Sequence, residues 1–168
     1  MKSFKNNLTN RKNNLTNGKT RRKLFFLLLI IGPLFTTSIT SAQTLGYKLA
    51  TIEKGYVTEN DVLVKRFNSL LAQLSNNYVD SKQALSDKTV TARQLLDDNG
   101  IEESMKKIME GMNKIYDLNN SYKKYNEYLS CYVIFRVNGY EHDKSLSLLQ
   151  ESINAFGING TLEKLGIK

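Results

Sequence analysis

The sequence is poor in the residues that staple small exported domains and build common active sites. Cysteine occurs once, as Cys131, so no disulfide can form within the chain, and its fold has to be held by core packing, metal or association. Histidine also occurs once, as His142, so Cys/His zinc sets and most nucleophile and base pairings are nearly exhausted. Tryptophan is absent and the one proline, Pro33, lies near the N-terminus. With turn residues sparse beyond residue 42, a sandwich or barrel is excluded in favour of a mostly helical chain.

Acidic residues are missing from the first 42 positions, which hold eight basic ones, from Lys2 to Lys23. The remaining 126 residues carry 16 bases against 16 acids, so the formal charge of +8 belongs wholly to the N-terminal segment and the body is neutral. A nucleic-acid partner, which a basic chain would suggest, is therefore not expected. The only long apolar run, Leu24 to Phe35, has 12 residues and is broken by Gly32-Pro33. A bilayer span needs about 20 apolar residues. Basic stretch, short apolar run and small-residue tail Thr40-Ser41-Ala42 have the layout of a secretory signal peptide, expected to span residues 1–42 with cleavage after Ala42. The product, residues 43–168, is expected to be periplasmic or secreted, with no stable membrane anchor. The doubled Lys-Asn-Asn-Leu-Thr-Asn within the leader is low complexity, too short for any repeat architecture.

Residues 43–168 read as one all-α domain, a small helical bundle, with the Gln43–Tyr56 stretch left unassigned. Leu63, Phe67, Leu70, Leu71, Leu74 and Tyr78 recur at helical spacing and predict a helix over about 59–79, with Thr58 as N-cap. A second is expected over 81–97, weakened by the β-branched Thr89-Val90-Thr91, and ends in the turn Asp97-Asp98-Asn99-Gly100. From 101 to 137 the positions Ile101, Met105, Ile108, Met112, Ile115, Leu118, Tyr122, Tyr125, Leu129 and Tyr132 follow steps of three and four, a coiled-coil-like seam. Asn99 with Glu102 would cap it, or Gly100 would close the helix before it. Unbroken, 37 residues would make a rod of roughly 55 Å at about 1.5 Å per residue. A compact fold requires a kink or hairpin near Asn119. Asp143 would cap a further helix over 143–156 with Gly157 just past its end, and a short one over 160–166 would fold back on the bundle.

No Gly-x-Ser-x-Gly, Walker loop or calcium loop is present, and no catalytic, metal or cofactor-binding set emerges. The acidic loop Asp97 to Glu103 fails as an EF-hand because its required carboxylate positions fall on Leu95 and Lys106. Two clusters carry functional readings. Tyr122, Tyr125, Tyr128 and Tyr132, interleaved with Lys123, Lys124 and Arg136, form either bundle core or a partner-binding surface, since Tyr is enriched at interfaces. Glu141-His142-Asp143 is the alternative, a metal or acid/base centre, although adjacent residues rarely face one ion together. The expected function is that of a non-enzymatic envelope or exterior protein that contacts another envelope protein or itself; the alternative is a small exported enzyme or metal-dependent binder centred on His142.

Overall fold

The computed structural model describes residues 44–115, 117 and 120–167. The chain divides into two units, residues 1–40 and 41–168, and all described residues belong to the second. The expected leader, like the expected bend at Asn119, lies outside them.

Six helices and no strand occur among the described residues, as the composition predicts: α1 (Leu45–Lys54), α2 (Val62–Asn77), α3 (Lys82–Asp97), α4 (Met105–Met112), α5 (Tyr125–Val137) and α6 (His142–Leu165). The unassigned opening stretch is thus α1, started by the Thr44 side chain, which accepts from Tyr47 N. Helix α2 starts later than expected. Asp61, not Thr58, is its N-cap and accepts from Leu63 N at 2.8 Å, a bond that also lowers the Asp61 carboxyl pKa. Ser81 caps α3, and α3 closes as the glycine alternative foresaw, with Gly100 at φ 73° and Ile101 N on the Leu96 carbonyl. The Asn99–Glu102 capping box does not form, because Ser104 caps α4 instead.

The single helix expected over 101–137, straight or bent near Asn119, is instead two helices, α4 and α5, which are not packed side by side. Helices α1 and α2 pair, α5 and α6 pair, and α3 and α4 lie between them. The core is where the periodic positions meet: Phe67, Leu70, Leu71 and Leu74 of α2, Leu85 and Leu96 of α3, Met105, Ile108 and Met112 of α4, and Leu149 of α6 are all essentially inaccessible. Each such side chain contributes about 1.5–3 kcal/mol on burial. Two glycines matter for geometry. Gly46 lets α1 approach α2 so closely that a Cβ would stand 2.6 Å from the Val64 carbonyl oxygen, and its N–H bonds Asn68 Oδ1 at 3.1 Å. Gly157, at φ 66° and ψ 174°, breaks α6 into the expected helix and its fold-back segment, with Ile158 and Thr161 buried.

Candidate functional site

Three of the four tyrosines singled out by the sequence are core. Tyr125, Tyr128 and Tyr132 are fully buried on α5. Tyr125 and Tyr128 set their rings edge-on to Tyr78, with centroids 5.1 and 5.6 Å away, contacts worth about 0.5–1.5 kcal/mol each beyond area burial. Their hydroxyls are satisfied inside: Tyr128 donates to Asp117 Oδ2 at 2.7 Å, and Tyr125 Oη lies 3.0 Å from Thr89 Oγ1. Thr89, expected to weaken α3, is the buried partner of that ring and donates to the Leu85 carbonyl. Burial raises the pKa of all three phenols, so they stay protonated at any physiological pH. Tyr122 differs from them. It sits in the loop before α5 and is 64% exposed.

His142 is the first residue of α6, and the expected loop triad does not converge. Glu141, the N-cap, makes no side-chain cap bond and its carboxylate is 95% exposed, while Asp143 is exposed in the first turn and does not cap. The His142 ring instead turns inward, with Nδ1 2.8 Å from the Tyr132 hydroxyl and 3.4 Å from Glu103 Oε2. Glu103, just before α4, also meets Arg136 Nη2 of α5 at 3.1 Å and Lys107 Nζ at 3.3 Å. The Glu103 and Arg136 side chains are 4% and 8% exposed, so this is a buried ion pair, and Arg136 Nη1 also donates to the Tyr140 carbonyl at 2.8 Å. Burial lowers the His142 pKa, and the charges of Lys107 and Arg136 act the same way against the opposing pull of Glu103 and Asp143. The positive end of α6 likewise disfavours an imidazolium there. The centre therefore ties the start of α4, α5 and α6 together, with the imidazole Nδ1 turned toward Tyr132 and Glu103 rather than toward its sequence neighbours.

Sequence reading missed this centre, since Glu103 read only as the end of an acidic loop that fails as a calcium site and Arg136 as one base among tyrosines. The only local trace is the Glu103–Lys107 spacing of four. Two helix starts are capped from afar in the same way. Glu53 of α1 accepts from Met105 N of α4 at 3.0 Å, and Asp80 accepts from Tyr125 N of α5 at 2.7 Å while also holding Lys88.

Glu103 also borders an open cleft of about 580 Å³ whose acids are Glu53, Asp97, Glu102 and Glu103. Arg93 crosses it, 3.4 Å from Asp97 and 3.8 Å from Glu53, so its charge is partly compensated. Among the described residues, no group of three or more His, Cys, Asp or Glu side chains is placed to hold a metal, and no helix is long and apolar enough to cross a membrane. Cys131 is fully buried, and burial pushes its thiol up to about 12, so it packs as a small hydrophobe.

Fold and centre together define a small all-α bundle with an apolar core, a buried polar centre that joins α4, α5 and α6, and exposed apolar side chains that include Tyr56, Val62 and Tyr122. The chain belongs to the MoxZ family, whose model matches residues 48–154, a stretch that contains Glu103, Tyr132, Arg136 and His142. No curated protein and no solved structure matches the chain.

Proposed function

We propose that this MoxZ-family protein is exported and works in the cell envelope or exterior through protein–protein contacts, as a structural or adaptor component. The observation that carries the reading is the contrast between engaged chemistry and unengaged apolar surface. His142, Cys131 and the α5 tyrosines are buried within the bundle, whereas Tyr56, Val62 and Tyr122 are 88%, 80% and 64% exposed. Aromatic side chains such as Tyr are enriched at protein interfaces and among their energetic anchors. The leader pattern in residues 1–42 supports export.

In-cell crosslinking of the tagged protein, followed by mass spectrometry, tests the contact role. A stoichiometric partner or a homo-oligomer is expected, and recovery of the monomer alone would refute it. N-terminal analysis of exported protein should begin at Gln43; a membrane-retained chain that keeps Met1 would remove the export reading.

A further inference from the structure

At the C-terminal end of α2 three loops are tied together by hydrogen bonds. Tyr78 donates its hydroxyl to the Met112 carbonyl at 2.9 Å, Asn77 Nδ2 bonds Asn113 Oδ1 at 2.8 Å, and Val79 N bonds the Lys123 carbonyl at 3.0 Å. This places the exposed Val79 and Tyr122 on neighbouring, mutually braced loops. Tyr122 N is itself fixed by Asn120 Oδ1 at 2.9 Å, a local turn that holds the residue in place while its ring stays in solvent.

The charges around these two side chains are lopsided in availability. Lys82, at the start of α3, and Lys114, after α4, are exposed, and Lys124 is exposed beside Tyr122 and Lys123. The acids on the same segments are largely taken: Asp80 holds Lys88 and caps α5, Asp117 accepts from Tyr128, and Glu127 sits 3.7 Å from Lys124. Two exposed acids lie further along α3: Asp87 accepts from Gln83 at 2.7 Å, and Asp97, at the far end of the helix, meets Arg93 at 3.4 Å. An aromatic and an aliphatic side chain on braced segments that also carry the exposed Lys82 and Lys114 and the half-buried Lys123 complement a surface of opposite charge with an apolar centre.

We infer that this end of the bundle is the contact surface of the protein and that it binds an acidic patch on a different protein, with Tyr122 and Val79 at the centre and Lys82, Lys114 and Lys123 at the rim. The inference rests on the protein-contact reading above and specifies where and with what chemistry the contact is made. Rim lysines steer and orient such a contact, while the ring supplies the buried area.

The test places a photo-crosslinking benzoylphenylalanine at position 122, and for comparison at position 56, in the full chain produced in its own host. Position 122 should give a discrete adduct with another protein whose crosslinked peptide is rich in Asp and Glu. The triple variant K82E/K114E/K123E should lower its yield about tenfold, the effect of roughly 1.4 kcal/mol spread over exposed charge pairs. That variant should melt with the unaltered protein, because an acid at the first turn of α3 suits the helix dipole. If it does not fold, the neutral K82Q/K114Q/K123Q set replaces it, with a smaller loss expected. An adduct insensitive to both sets, a lipid adduct, an adduct with a second copy of this chain, or silence at 122 would overturn the inference. An adduct at 56 alone would do so while leaving the protein-contact reading intact; silence at both positions, with only monomer recovered, would remove that reading as well.

Discussion

Removing Glu103 should unfold a large fraction of the stability margin, although the residue lies outside every regular element. The substitution Glu103→Ala leaves Arg136, whose side chain is 8% exposed, without the carboxylate 3.1 Å away. Breaking a buried pair by deleting one partner typically costs about 3–5 kcal/mol, because the remaining charge stays desolvated. Two features move the value to the low end. Arg136 keeps its bond to the Tyr140 carbonyl and a 3.8 Å approach to the well-solvated Glu141, and the lost Lys107 contact is 51% exposed and contributes little. The expected loss is about 3 kcal/mol, out of a total of about 5–15 for a domain, lowering the thermal midpoint by about 10 °C. Glu103→Gln, which keeps the shape and one acceptor, should lose about 1–2 kcal/mol. The decisive variant is the double replacement Glu103→Leu with Arg136→Met. It removes both charges, and the Tyr140 carbonyl stays satisfied by Ser145 Oγ at 3.2 Å, so its stability should lie within about 1 kcal/mol of the parent. Urea unfolding with an unchanged m-value measures all three. A Glu103→Ala loss under about 1 kcal/mol, or a double variant as unstable as the sum of its parts, would refute the assignment of this pair as the buried brace of α4, α5 and α6.

Other outcomes follow from the same contacts. The His142 pKa is lowered by burial, so the unfolded chain binds the proton more readily than the folded one, and stability should fall as pH drops below the ordinary value of 6.5. Urea midpoints at two pH values on either side of that point should converge in His142→Gln; an identical drop in both proteins would show that the imidazole is not responsible. Gly46→Ala should destabilise by about 2 kcal/mol or more despite the better helix former, since its Cβ would meet backbone as well as Asn68. Gly111→Ala should cost less, because its nearest obstacle is the end of the half-buried Leu146 side chain, and a reversed order of the two melting temperatures would contradict that account. Cys131, with its thiol pushed up to about 12, should resist a thiol reagent at pH 8 until the protein unfolds; prompt labelling of native protein would place the residue wrongly.

How much was legible in the sequence divides along the range of the interactions. Helices α2 and α3 could be read because their apolar faces depend on neighbours within a few residues, Phe67 to Leu74 in α2 and Leu85 to Leu96 in α3, although α2 starts at Asp61 rather than Thr58. The break between α4 and α5 could not, because the forces that make it come from elsewhere in the chain. The apolar steps of three and four run on from Met112 to Tyr125, since both helices bury their faces in one core and so keep the same pattern. What accompanies the interruption is tertiary hydrogen bonding: the Tyr78 hydroxyl takes the Met112 carbonyl, Val79 N takes the Lys123 carbonyl, and Asp80 takes the Tyr125 N–H. Three consecutive residues after α2 thus engage backbone groups flanking the interruption. Lys124, the local residue before α5, makes no cap bond, so no start signal existed to be read there. The same reasoning explains the hidden centre. Glu103, Arg136 and His142 each have a sufficient local explanation as helix-end or solvent-facing charge, and only the folding of three helices onto one another turns them into a single buried group. Tyr122 completes the contrast: it continues the seam in sequence, yet the backbone there is no longer helical, so the periodicity that buries Tyr125, Leu129 and Tyr132 releases its ring to the surface.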